Sequence, residues 1–377
     1  MDLRSARLLL PAVLFCASSV AFGYLTHNKN KRPNPSSGLR FSVGVIADIQ
    51  YAPIPDGTSH AGVPRYYRNA LVGARRAAQH FQESQVHLVL NLGDTIDGKC
   101  QMIAQEGGDE IENPGETCLQ HVLDALSPYQ HGPTIHTYGN HELYNLNREQ
   151  IGSMLAIPFV QEEGSDELVG YQSHSYRGIR FVVLDSMDVS CLRPEGTRKK
   201  KLAEAILRRE NPNFPHLENS PEGLEDVQKR FVAFNGGVDE PQLQWLRRTL
   251  QEARESSEKV VLLSHQPILP DSCSPVTLIW NYEDVLVLLR EFADVVVLSL
   301  AGHAHKGGYK RDEVSGIHFR VIEAVLETPA PGATYAIMEV HEGKIELIGY
   351  GDCTSATYDF DHCMVAAASV ATPASKL

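Results

Sequence analysis

The chain has 377 residues, 42% of them apolar and 21% charged, and a formal net charge of −13. That length buries a substantial core in one large or two modest domains. The acidity excludes a nucleic-acid binder, which needs a basic surface against a phosphate backbone, but not a small anionic substrate, because bound cations can supply local positive charge.

Taken from the N-terminus, Leu8 to Leu25 is mostly apolar, with Arg4 and Arg7 before it and Lys29, Lys31 and Arg32 after it. This length lies between a signal-peptide core and a short membrane anchor, so residues 1–38 are predicted to be a targeting segment and linker, with membrane contact through residues 8–25. The remainder divides into a catalytic domain over 39–352, with a charged, Pro-containing cap or loop insertion over 193–237, and a tail over 353–377. That tail ends in Ser375-Lys376-Leu377, the tripeptide read by the peroxisomal import receptor, which predicts a peroxisomal location. A secretory, membrane-anchored or cytosolic location is the alternative. The two addresses are compatible if the N-terminal run is an anchor that leaves the catalytic domain in the cytosol.

From Phe41 onward short apolar runs alternate with amphipathic ones. Strands are predicted at Phe41–Ala47, Val86–Leu92, Thr134–Tyr138, Ile179–Leu184, Val260–Ser264, Val295–Leu300, His318–Ile322, Tyr335–Val340 and Lys344–Ile348. Helices are predicted at Tyr67–Gln82, Leu119–Ala125, Gln242–Glu255 and Tyr282–Phe292. Strand–helix–strand order gives way to a run of strands, which implies an α/β start and a mixed or antiparallel second sheet. Lys199-Lys200-Lys201 reads as a solvated face rather than a phosphate site. The seven cysteines form no CxxC pair. Cys100 with Cys118, and Cys353 with Cys363, could pair, although free thiols are expected in a reducing compartment.

Five polar motifs follow predicted strands: Asp48-Ile49-Gln50, Gly93-Asp94-Thr95-Ile96-Asp97, Gly139-Asn140-His141-Glu142, Ser264-His265-Gln266-Pro267 and Gly302-His303-Ala304-His305. Strand carboxyl ends are where α/β proteins build sites. Each motif alone has a structural explanation: Asp48 as a helix cap, Asn140 as a turn residue, His265 as a satisfied core histidine. Five together are hard to reconcile with packing, since buried ionisable groups are costly unless paired or coordinated. The set holds carboxylates, an amide oxygen and imidazoles, as a site for two ions about 3.5–4 Å apart requires.

The order D-x-[H/Q], GD-x-x-D, GNH[D/E], H-x-P and GH-x-H resembles the calcineurin-like metallophosphoesterases, from about Phe41 to Gly349. Further words are similar to the manganese-dependent ADP-ribose/CDP-alcohol diphosphatases: Asp48-Ile49-Gln50, Arg65-Tyr66-Tyr67-Arg68-Asn69, Asn235-Gly236-Gly237, Gln242-Leu243-Gln244-Trp245-Leu246 and Trp280-Asn281-Tyr282. The resemblance implies an α/β fold of two mixed β-sheets packed as a sandwich with helices outside. It implies two divalent ions, Mn²⁺ before Zn²⁺ or Fe²⁺. Asp48, Gln50, Asp94 and His305 would hold one ion, and Asp94 would bridge to a second held by Asn140, His265 and His303. His141 would be the catalytic acid, while Asp97 and Glu142 would fix imidazoles or simply cap turns. The implied reaction is attack by a metal-bridged hydroxide on the phosphoanhydride of a nucleotide diphosphate compound, taking ADP-ribose to AMP and ribose 5-phosphate and CDP-alcohols to CMP and a phosphoalcohol. Another phosphodiesterase or phosphomonoesterase of this superfamily, or a non-catalytic scaffold on the fold, is the competing reading. Trp280, Asn281 and Tyr282 would either face a nucleobase or pack a helix start into the core.

Overall fold

The structure, a computed structural model, describes residues 38–102, 112–162 and 165–360. The N-terminal apolar run, Cys16, Cys363 and the terminal tripeptide lie outside the described residues. Among the described residues no helix is long and apolar enough to cross a membrane.

Two six-stranded mixed sheets form the centre. In the first, Leu39–Ile46 (β1) runs parallel to Leu88–Asn91 (β2), and that strand runs parallel to Thr134–His136 (β3). On its other side β1 pairs antiparallel with Tyr335–His341, followed outward by Lys344–Tyr350 and Ala356–Asp359. The late strands therefore extend the first sheet rather than building the second, because the edge of β1 opposite β2 is open for the returning chain to fill. The last of them places Tyr358 at 1% exposure, so Ala356–Asp359, expected in the tail, belongs to the sheet.

The second sheet centres on Ile179–Val183 (β4), Lys259–Ser264 (β5), Val296–Ala301 (β6) and His318–Val321 (β7), all parallel to one another. Gln172–Tyr176 and Gly308–Arg311 close its two edges antiparallel. Both edge strands are too polar to stand out as apolar runs.

One apolar cluster fills the space between the sheets, joining Val43, Val45 and Leu90 of the first to Phe181, Leu263 and Leu300 of the second. Strands buried on both faces explain why these segments read as continuous apolar runs. Tyr67–Glu83 (α1) and Pro114–Leu126 (α2) cover the first sheet through Ala70, Ala74, Ala77, Phe81, Leu119 and Val122. Glu240–Glu255 (α3) and Tyr282–Glu291 (α4) cover the second through Leu246, Leu250, Val285 and Leu289. The layers are helix, sheet, sheet, helix, as expected.

The 193–237 region is partly helical, with Arg198–Glu210 (α5) packing Ala203, Ile206 and Leu207 against Phe231, Ala233 and Trp280. Lys199 does not sit on a solvated face. It is fully buried and reaches Glu162 at 2.7 Å and also Asp188. The position follows from spacing, since Ala203, Ile206 and Leu207 lie four, seven and eight residues on, along one helical face. Cys100, Cys118 and Cys353 are free thiols.

Candidate metal centre

All five motifs converge at the carboxyl ends of β1, β2, β3, β5 and β6. The backbone is bent hard there. Asp48 (φ 50°), Gln50 (φ 44°), Asp94 (φ 50°) and His303 (φ 66°) are non-glycine residues in the left-handed region. Such a conformation costs on the order of 1–3 kcal/mol per residue and clusters at functional sites. Its effect here is to turn each side chain, directly after its strand, towards a common point. Two glycines make room. A Cβ on Gly139 would lie 2.2 Å from Asp94 Oδ1 and 2.3 Å from His265 Nε2, and one on Gly302 would lie 2.6 Å from Asp48 Oδ2.

The side chains meet as follows. His265 Nε2 lies 3.2 Å from Asp94 Oδ2 and 3.1 Å from His303 Nδ1. Ligand atoms of Asp94, His265 and His303 all fall within 4.8 Å of one another. His305 Nε2 lies 3.7 Å from Asp48 Oδ1 and 3.0 Å from Gln50 Nε2, and Gln50 Nε2 donates to Asp94 Oδ2 at 3.0 Å. The His303 backbone N–H donates to both oxygens of Asp48, at 3.0 and 2.9 Å. Asp48, Asp94 and His265 are wholly buried, and Gln50 and Asn140 nearly so.

Each imidazole is oriented from behind. The Leu92 carbonyl lies 2.8 Å from His265 Nδ1, Asn235 Oδ1 lies 2.8 Å from His303 Nε2, and Glu327 Oε1 lies 3.0 Å from His305 Nδ1. If these oxygens take the ring protons, the opposite nitrogen of each ring keeps a lone pair directed into the cluster. Sequence reasoning missed Asn235 and Glu327 in these roles. Asn235 had a signal in the two glycines after it, and Glu327 had none.

The electrostatics are those of an unfinished site. Burial pushes Asp48 up to about 6, only partly offset by His305 and His265. Burial also opposes the charge on Asp94, yet His265 and His141 hold its carboxyl well below the usual range. Burial would lower His265, but Asp94 and Asp48 raise it to about 9. Burial and neighbouring His265 push His303 far down. Two buried oxygens, Gln50 Oε1 and Asn140 Oδ1, have no hydrogen-bond partner. Unpartnered buried acceptors are costly, and carboxylates, amide oxygens and imidazoles together suit borderline divalent ions. The residues fit a pair of such ions.

His141 stands beside this cluster, with its Nε2 4.0 Å from Asp94 Oδ2. The Gly98 N–H donates to its Nδ1 at 2.8 Å, and Asp97 Oδ2 lies 3.3 Å from the same atom. A donor on Nδ1 leaves the ring proton on Nε2, the nitrogen facing the cluster. Asp97 combines the two expected roles: its Oδ2 stands beside this imidazole, and its Oδ1 accepts the Lys99 N–H at 2.9 Å and caps the turn. Glu142 takes the capping role: it accepts backbone N–H groups from Asp94 (3.0 Å), Gly139 (2.8 Å) and Thr95, and so braces the two loops. Trp280 and Asn281 are buried in structure. Trp280 Nε1 donates to the Val232 carbonyl at 3.3 Å, and Asn281 binds the Val238 backbone at 3.1 and 3.0 Å.

A cavity of about 600 Å³ opens over the cluster, walled by Arg65, Tyr144 and Phe234 among others. The aromatic side chains available to a ligand there are thus Tyr144 and Phe234, not Trp280.

The calcineurin-like phosphoesterase family matches residues 41–307. A curated relative from Arabidopsis thaliana, named manganese-dependent ADP-ribose/CDP-alcohol diphosphatase, is 38% identical over 323 residues, covering 85% of this chain and 97% of the relative. A relative of the same name from Homo sapiens is 36% identical over 338 residues, covering 85% and 94%. The crystal structure of a dimetal phosphatase from Danio rerio aligns with a TM-score of 0.77 at 32% identity, covering 85% of this chain and 99% of that one. With its site built at the strand ends these relatives align across, the chain belongs to the calcineurin-like phosphoesterases and, within them, to the family of the manganese-dependent ADP-ribose/CDP-alcohol diphosphatases.

Proposed function

We propose that this protein is a two-metal hydrolase that cleaves the phosphoanhydride of nucleotide diphosphate compounds, ADP-ribose and CDP-alcohols among them. The observation that carries the reading is the group of buried, unpartnered acceptors, Gln50 Oε1 and Asn140 Oδ1, beside carboxylates and imidazoles at one point. Asp48, Gln50, Asp94 and His305 would hold one ion, and Asp94, Asn140, His265 and His303 the other, with Mn²⁺ the metal by analogy with the named relatives. Bound there, the ions would supply an activated water and neutralise charge on the phosphoryl oxygens.

The chain's own residues do the rest. Asn235, Glu327 and the Leu92 carbonyl hold the imidazoles at fixed angles, so little reorganisation accompanies binding. Glu142 locks the Asp94 and Asn140 loops together. His141 directs Nε2 and its proton towards the bound phosphoryl group, and delivers that proton to the departing oxygen. Phe234 offers an apolar face to one end of the substrate.

The test is an assay of purified protein with added Mn²⁺ on ADP-ribose and CDP-choline. Release of a nucleoside monophosphate from both is expected. Turnover confined to monoesters or simple diesters would overturn the substrate assignment and leave a phosphoesterase.

We also propose peroxisomal targeting through Ser375-Lys376-Leu377, with residues 8–25 contacting a membrane. A fluorescent protein fused at the N-terminus, with and without residues 375–377, tests the tripeptide. An unchanged pattern on deletion removes the receptor reading.

A further inference from the structure

The His141 ring is set by one peptide unit. The Gly98 N–H donates to its Nδ1 at 2.8 Å. The carbonyl of that same unit belongs to Asp97, and Asn145 Nδ2 donates to it at 3.0 Å. The other hydrogen of the Asn145 amide goes to the His141 carbonyl, at 2.8 Å. One carboxamide therefore ties the backbone of His141 to the peptide that holds its ring.

Spacing and packing both put Asn145 there. It ends the short helix Asn140–Asn145, in which His141 and Asn145 lie four residues apart on one face. A side-chain amide at that spacing reaches back to the earlier carbonyl. The turn it grips is pressed close, since a Cβ on Gly98 would lie 2.8 Å from Tyr144 Cδ2 and 3.4 Å from His141 Nδ1. Behind it stands the start of α2, where a Cβ on Gly115 would lie 2.8 Å from Asn145 Cβ. Asn145 Oδ1 is buried without a hydrogen-bond partner. An unmet buried acceptor costs about 1–3 kcal/mol, and an apolar side chain would avoid it. What the amide contributes is its two N–H groups.

The clamp matters because two groups compete for Nδ1. The Gly98 N–H keeps the ring proton on Nε2, facing the cluster. Asp97 Oδ2, 3.3 Å from Nδ1, would draw that proton away if the Gly98 peptide turned aside. A neutral ring with its proton on Nδ1 presents a bare Nε2 and cannot act as an acid. The N–H and C=O of a peptide unit point opposite ways across one rigid plane, so holding the oxygen fixes where the N–H points. We propose that Asn145 is the positioning residue of the catalytic acid: by holding the Asp97–Gly98 peptide against the His141 helix, it keeps the acid's proton on Nε2. The proposal rests on the diphosphatase reading above, in which His141 is the acid.

The experiment is a double-mutant cycle on the full chain loaded with Mn²⁺, with ADP-ribose as substrate: parent, Asn145→Ala, His141→Ala and the two together. Asn145→Ala should lower kcat by about 10- to 10²-fold, the scale of a catalytic group displaced by about 1 Å, and leave KM and the Mn²⁺ concentration for half-activity within about threefold. In the His141→Ala background the same substitution should cost less than about twofold, because it acts only through that ring. A merely structural residue would lower the rate by the same factor in both backgrounds, and that result would overturn the proposal. So would an unchanged kcat in Asn145→Ala, or a loss confined to KM or to Mn²⁺ affinity. If circular dichroism shows that Asn145→Ala does not fold, the cycle is read on Asn145→Gln, which keeps the amide but moves it by one methylene. A loss that vanishes without His141 then supports the proposal, and one that persists overturns it. If His141→Ala runs at the parent rate, His141 is not the acid and the proposal falls with it. A parent that cleaves phosphodiesters but no diphosphate would sink the diphosphatase reading alone, and the same cycle is then read on the diester.

Discussion

Two regions of this molecule bury charge in different ways. Behind the 193–237 region, Lys199 meets Glu162 and Asp188, Arg193 meets Asp188 at 2.9 Å and Asp185 at 3.8 Å, and Gln242 donates to Asp188 at 3.0 Å. Each of these charged groups has an opposite charge within reach. At the strand ends, Asp48 and Asp94 meet imidazoles, the Gln50 amide and backbone N–H groups but no lysine or arginine, and two amide oxygens have no hydrogen-bond partner. Both regions are equally buried. Burial of charge therefore does not mark a site. An unmet acceptor alone does not either, since Glu167 Oε2 beside Lys199 also lacks a partner; what distinguishes the strand ends is unmet amide oxygens standing beside carboxylates and imidazoles at one point.

The sharpest break of this contrast is Asp94→Asn, which removes the carboxylate proposed to bridge both ions. Turnover should fall by at least about 10³-fold, equivalent to several kcal/mol of transition-state stabilisation. Steady-state kinetics with circular dichroism checks that the fold persists. Retained activity would remove Asp94 from the centre.

In the paired region the loss should appear as stability. Lys199→Met strands Glu162 and Asp188, and breaking a buried pair costs about 3–5 kcal/mol. Denaturant unfolding should show that loss, while Mn²⁺-dependent turnover of the folded protein stays near the parent. The sign with pH follows from Asp188. Burial opposes its charge, but Lys199 and Arg193 hold it below the ordinary carboxylate range. Its contribution is thus present above about pH 4 and lost as pH falls through its lower folded value. The acid-unfolding midpoint should rise in Lys199→Met, and an unmoved midpoint would show that Lys199 does not set it.

Chelation separates the regions again. Mn²⁺ at a hundred times its Kd should stabilise the parent by about 2.7 kcal/mol, visible as a higher melting midpoint. Asp94→Asn should lose most of that increment and Lys199→Met should keep it. Equal increments in all three proteins would mean the ions bind elsewhere.

This division also explains what the sequence made legible. Asp48, Asp94, Asn140, His265, His303 and His305 could be found because they follow five apolar strands, His303 and His305 sharing one, and strand order carries them to one edge. Glu327 ends a single 3₁₀ turn over Val325–Glu327, too short for any periodicity, so it had no local signal. Lys199 did have one, the apolar positions four, seven and eight residues on, but three successive lysines masked it. Trp280 shows the converse: a conspicuous aromatic that the chain buries under α5. Where a late strand pairs is a tertiary choice, which is why residues 335–348 read as strands but not as part of the first sheet.

Gln50 gives the smallest and most discriminating effect. In this structure its amide nitrogen binds Asp94 and approaches His305, while its oxygen is buried without a partner. The backbone there is left-handed at φ 44°, so the side chain is held at the cluster rather than resting there by chance. An amide oxygen suits Mn²⁺ better than Zn²⁺, whereas imidazole suits Zn²⁺. Gln50→His should therefore tighten metal binding and widen the set of activating ions, shifting the Mn²⁺ concentration for half-activity by about tenfold, the scale of changing one group around a bound metal. The fold should tolerate it, because His303 and His305 already occupy the same crowded end. The measurement is activity against free Mn²⁺ and free Zn²⁺ for parent and variant. Superimposable curves would make Gln50 a hydrogen-bond donor to Asp94 alone, and the unmet oxygen would then call for water rather than metal.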